Sequence, residues 1–157
     1  MIDQIGKFLE EYGWTCKDFK SPRSAGKFVL TYVNPDFDKT LKVLILFKEV
    51  GQWLYVSTHK LFKYPVSQTE VIMRFLKFNS QIPLVKWFTR DIKDEIFINI
   101  GFEIHVDDFN KEVLFKNLDT LSYYIDDTLG LLKRKGVLTE KNLTRVETVT
   151  KDSLELG

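Results

Sequence analysis

The chain has one cysteine, four prolines and eight glycines in 157 residues, and almost no net charge. A lone thiol, Cys16, closes no internal disulfide, so a reducing compartment fits better than a disulfide-stapled secreted fold. Neither repeats nor a low-complexity tract interrupt the sequence. A net charge of +1 supplies no basic field for a phosphate backbone and no acidic field for a basic partner, so nucleic acid is not an expected ligand. No apolar run approaches the ~20 residues a membrane helix needs. The opening "MIDQIGKFLEEYG" also lacks the basic and apolar regions of a signal peptide. The expectation is a cytoplasmic protein with no membrane attachment.

Catalytic signatures are missing as well. No phosphate-cradling glycine loop, nucleophile elbow or paired-histidine zinc motif occurs. His59 and His105 are far apart and read as ordinary strand or surface histidines. "DFD" (Asp36 to Asp38) follows Asn34-Pro35 and reads as a turn rather than a metal site. Asp91, Asp94 and Glu95 sit at a hairpin tip without calcium-loop spacing. Asp126 and Asp127 are adjacent on a helix and point apart, and Cys16 has no positioned histidine to activate it. "HKLFKYP" (His59 to Pro65) mixes bases and aromatics but is too short to make a nucleic-acid surface. No catalytic residue, metal or cofactor is expected, and the chain reads as a non-enzyme.

Apolar side chains are plentiful. They make up 44% of the chain, with thirteen Phe, six Tyr and three Trp among them. A single domain of this length buries roughly two thirds of its unfolded surface. A helical stripe runs through Ile2, Ile5, Leu9 and Tyr12, with Gly13 as its stop. Extended runs follow at about 27–33, 41–48 and 52–58, separated by "NPDFDKT" and "EVGQ". Ser67 and Glu70 match a capping box before a second helix, whose face is Val71, Ile72, Phe75 and Leu76. Asn79 and Pro83 close that helix. The hairpin "LVKWFTRDIKDEIFINIG" comes next. A long helix then runs from Asp107 or Asp108 to about Lys135, carrying Leu114, Leu118, Leu121, Ile125, Leu129 and Leu132. Cations and Gly136 end it.

This order, α-β-β-β-α-β-β-α, predicts an α+β domain over 1–136 with a five-stranded, mainly antiparallel sheet, followed by a polar tail over 137–157.

Turn residues suggest pairings. In the second hairpin Arg90 would face Glu95 and Phe88 would face Phe97; in the first, Phe47 would face Leu54 and Lys48 would lie against Trp53. These registers place Val43, Ile45, Phe47, Leu54, Val56, Val85, Trp87, Ile96, Ile98 and Ile100 against the helices. The opposite face keeps Leu44, Leu46, Trp53, Tyr55, Phe88 and Phe97, with Lys42, Lys48, Lys86 and Arg90 among them. Leaving six such side chains in water forgoes about 10 kcal/mol of burial. Such a patch calls for a cover. The long helix or tail, a second copy of the chain (a homodimer) and a client peptide are the candidates. The expected function is a protein-binding module, chaperone-like adaptor or regulator. Its contact residues would be Leu46, Lys48, Trp53, Tyr55, Lys86, Phe88, Arg90 and Phe97. The alternative is a small-ligand or enzymatic domain with a pocket between sheet and helices.

The stretch "LFKYPVSQTEVIMRFLKFNSQIPLVKWFTRDIKDEIFINIGFEI", continuing into "LDTLSYYIDDTLGLL", resembles the bacterial YbjN-type family of candidate sensory transduction regulators. In element order it is also similar to type III secretion chaperones. The features that carry the resemblance are a capped helix ending in "LKFN", a strand leading to a charged turn, a second strand, and a long helix with "YYIDD". Together they span roughly residues 40–135. The resemblance implies a chaperone-like α+β fold, no enzymatic activity, protein partners and dimerisation, and it assigns no catalytic residue. Secretion chaperones are usually acidic and this chain is not, which favours a general adaptor or regulatory role.

Overall fold

The computed structural model describes residues 1–13, 25–32 and 41–143. Expectations about Cys16, Asp36 to Asp38 and the end of the tail lie outside them. The described chain runs α1 (Ile2–Tyr12), β1 (Ala25–Tyr32), β2 (Leu41–Val50), β3 (Trp53–Thr58), β4 (Phe62–Pro65), α2 (Thr69–Phe78), β5 (Lys86–Ile92), β6 (Glu95–His105) and α3 (Lys111–Arg134). All five expected strands are present in an antiparallel α+β arrangement. A short sixth, β4, joins them from within "HKLFKYP".

Both hairpins turn one residue later than the sequence suggested. Val50 pairs with Trp53 across Gly51–Gln52, and Ile92 pairs with Glu95 across Lys93–Asp94. The reason is visible in the backbone: the first turn residue takes positive φ in each case, +60° at Gly51 and +57° at Lys93. Phe47 therefore faces Val56, Lys48 faces Tyr55, Phe88 faces Asn99 and Arg90 faces Phe97. Each partner shifts by two residues, and a two-residue shift leaves every side chain on its expected face. All ten residues assigned to the helix side are buried.

β6 organises the sheet. One of its edges takes β3 along Gly101 to His105 and β4 along Glu95 to Ile98, while the other takes β5. β3 and β4 are thus one edge broken by a corner, where Lys60 adopts φ +52°. Two buried side chains fill the missing ladder. Asn99 Oδ1 accepts from Thr58 Oγ1 and from the Leu61 N–H, both at 3.1 Å, and Thr58 Oγ1 accepts from the Ile100 N–H at 3.0 Å. Asn99→Ala would strand two buried donors. It is expected to cost roughly 1–3 kcal/mol in urea unfolding, and a cost near zero would show that the corner does not depend on this amide.

The helices share one face of the sheet. α1 contributes Ile2, Ile5 and Leu9 to the core, and the Ile2 N–H donates to Glu49 Oε2 of β2 at 2.9 Å. Gly13 ends α1 at φ +96°. Ser67 and Glu70 do not form a capping box: α2 starts after Gln68, with no side-chain cap. α3 begins later than expected, after a 3-10 turn over Val106–Asp108, where Asn110 accepts from the Val113 N–H at 2.9 Å. Its leucine stripe is buried throughout.

α2 locks onto the sheet through Phe75, whose ring lies 5.5 Å from Phe62 and 5.0 Å from Trp87. At its end the Asn79 amide donates to the Trp87 carbonyl at 2.8 Å and accepts from the Trp87 N–H at 2.6 Å, standing in for a neighbouring strand.

The packed region also extends past the expected boundary at 136. Leu138 is buried, Tyr64 O–H donates to the Val137 carbonyl, and Asn142 donates to the Lys63 carbonyl. Leu143 then bridges Phe62. Burial pushes the Tyr64 phenol up to about 12, so it remains a donor at ordinary pH.

Candidate functional site

The outward face of the sheet follows from strand alternation. β2 presents Leu46, Lys48 and Val50, and β3 presents Trp53, Tyr55 and Ser57. β5 presents Lys86, Phe88 and Arg90, and β6 presents Phe97, Asn99, Gly101 and Glu103. Cross-strand pairing arranges them in rows. Val50, Trp53 and His105 form one row, and Lys48, Tyr55 and Glu103 the next. Leu46, Ser57, Gly101 and Lys86 form a third; then Phe88 stands opposite Asn99, and Arg90 opposite Phe97.

The third row is low because its two middle members are small. Gly101 is not interchangeable there, since a Cβ would lie 2.5 Å from the Val56 carbonyl oxygen and 2.7 Å from Ser57 Cβ. Tyr55 and Phe88 rise on either side of this floor. The result is a pair of depressions that share Tyr55, Ser57 and Phe88. One, of about 410 Å³, has Gly101 in its lining, along with Leu84, Lys86 and Glu103. The other, of about 140 Å³, includes Asn99 and is ringed by Lys48, Lys60 and Arg90.

All eight expected contact residues stand on this face. Trp53, Tyr55 and Phe88 are 39%, 41% and 40% exposed, while Leu46 and Phe97 are half-buried. Leu44 differs from expectation: it is buried, although outside the main core cluster. The cations are used differently from one another. Lys86 Nζ donates to the carbonyls of Asn79 and Ile82 at 3.0 and 2.8 Å, fastening β5 to the end of α2. The expected stacking of Lys48 on Trp53 is replaced by another pair, with Lys60 Nζ 5.2 Å above the Phe97 ring. Trp53 instead meets the edge of His105, with ring centroids 4.9 Å apart. Lys60 had no signal in the sequence as a surface residue of this face, because only the corner between β3 and β4 brings it there.

α3 does not cover the patch, since its leucine stripe joins the core on the opposite side of the sheet. His59 lines the smaller depression and His105 stands beside Trp53, so the two histidines form no common site. A further groove of about 880 Å³ lies between β4, the start of α2 and the segment from Gly136 to Asn142, and contains neither histidine. Among the described residues, no group of three or more His, Cys, Asp or Glu is placed to hold a metal. None of their helices is long and apolar enough to cross a membrane.

No family model matches the sequence. No curated protein matches it in sequence either. In three dimensions it is similar to YbjN from E. coli, whose crystal structure describes a candidate transcription regulator. The TM-score is 0.62 at 14% identity, and the alignment covers 92% of this chain and 96% of that one. The chain therefore has a YbjN-like α+β fold.

Proposed function

We propose that this chain is a non-enzymatic protein-binding module, an adaptor or regulator that holds a protein partner on the open face of its sheet. One observation carries the reading: Trp53, Tyr55 and Phe88 are each about two fifths exposed on the side opposite all three helices. Aromatic residues in such settings are the usual anchors of protein interfaces. The regulatory description of the structural neighbour is compatible with such a role.

The test is Phe88→Lys, followed by light scattering and urea unfolding. The native chain and the variant are both expected at the monomer mass of 18.5 kDa, with stability changed by no more than about 0.5 kcal/mol, as for a surface site. A native dimer that the substitution separates would assign the face to self-association. A large loss of stability would show that the face is covered by the chain itself.

A further inference from the structure

We infer that the two depressions form a bipartite peptide site, in which the hollow over Gly101 takes an apolar side chain and the cationic hollow takes an aspartate or glutamate two residues away. This rests on the reading of the face as a protein-binding surface and names the chemistry of the partner. The cationic hollow has an unusual composition. Lys48 from β2, Lys60 from the corner and Arg90 from β5 converge on it, and its described lining contains no carboxylate. None of the three takes part in the salt bridges at Glu49, Asp107 and Glu11. Three cations thus surround a small hollow beside Tyr55 and Ser57 hydroxyls, and nothing described neutralises them. A carboxylate would find charge-assisted donors there, including the planar fork of an arginine.

The neighbouring hollow is different. Its lining sets Tyr55, Leu84 and Phe88 beside Glu103 and Lys86, the latter tied to the carbonyls of Asn79 and Ile82, over a floor at Gly101 that is packed too closely against Val56 and Ser57 to admit a Cβ. Leu84 itself is held at φ +66°, a conformation leucine rarely adopts, with its side chain 46% exposed at this rim. Asn99 and Gly101 are successive same-face positions of β6, so the two hollows are about 7 Å apart, the repeat of same-face side chains in an extended peptide. A peptide carrying apolar-any-acidic residues matches both in chemistry and in spacing.

The experiment is selection from a displayed library of random short peptides against the full chain, repeated against Arg90→Glu and against Phe88→Lys. Both substituted residues are exposed, and thermal melts confirm that each variant is folded. The native chain is expected to enrich peptides with an apolar residue two places from Asp or Glu. Their affinity should fall roughly tenfold or more in Arg90→Glu, as for loss of a paired interface charge, and fall also in Phe88→Lys. With Lys48→Glu and Arg90→Glu combined, selection should switch to Lys or Arg at the acidic place. Enriched peptides without acidic residues, lost in Phe88→Lys but kept in Arg90→Glu, would overturn the bipartite site while leaving the face as a protein-binding surface. Peptides insensitive to both substitutions would overturn the two together. Failure to enrich any peptide would overturn the bipartite site, and the mass and stability of Phe88→Lys would then decide the broader reading separately.

Discussion

Trp87→Ala is expected to destabilise the fold by roughly 3–5 kcal/mol, the range for deleting a large aromatic from a packed core. The indole is only 2% exposed and is held on several sides. Phe62 stacks on it at 6.1 Å and 21°, and Phe75 meets it edge-on at 5.0 Å. Its backbone is clasped by Asn79, so the residue cannot swing away and let neighbours fill the void. A cavity left between α2, β4 and β5 would persist. Urea unfolding measures the effect, with Trp53→Ala as the comparison. Trp53 is 39% exposed, and its removal is expected to change stability by less than about 1 kcal/mol. Similar losses for the two tryptophans would contradict the assignment of one to the core and the other to the open face.

Gly101→Ala should be the second most damaging change, although it adds only one methyl group. Overpacking of a close-packed site costs typically 1–3 kcal/mol, and the upper end applies here because the atoms in the way are backbone. The added carbon would fall 2.5 Å from the Val56 carbonyl oxygen and 3.0 Å from Ser57 Cα. Relief requires β3 to move away from β6, against the pairing that joins the two hairpins. Chemical denaturation, supported by amide exchange of β3, would report both the loss and its location. A neutral substitution would mean that the strands separate more easily than their packing implies.

Much of this architecture is legible in the sequence, and the failures have physical causes. The two hairpin faces follow from period-two alternation, which survives the misplaced turns because each one-residue error in the turn shifts the pairing by two residues. The turns themselves depended on which residue would accept positive φ. Lys93 gives no such signal, and Gly51 could have occupied either central place. β4 was hidden in "HKLFKYP", where Pro65 suggests a stop and the run is too short to show alternation. The Ser67–Glu70 pair matched a capping box in spacing, yet the chain enters α2 one residue too late to use it.

The candidate site divides in the same way. Trp53, Tyr55, Phe88 and Phe97 could be assigned to one face from their own strands. The hollows could not, since they depend on Ser57 and Gly101 lying side by side. Those residues belong to strands that are not hairpin partners, and no local pattern announces that they meet. Lys60 reaches Phe97 only through the corner after β3, which no pattern in the sequence marks.

The position of β6 between the hairpins also distributes the entropic cost of folding unevenly. β5 and β6 meet across a two-residue turn, and β2 and β3 do the same, so each hairpin closes a short loop. The bond from the Ile100 N–H to Thr58 Oγ1 instead joins residues 42 positions apart. Loop closure becomes more costly with length, and non-local strand pairings are the slow ones. The hollows that form the candidate site straddle this seam, so they come into being only once the two hairpins have found each other across the intervening chain.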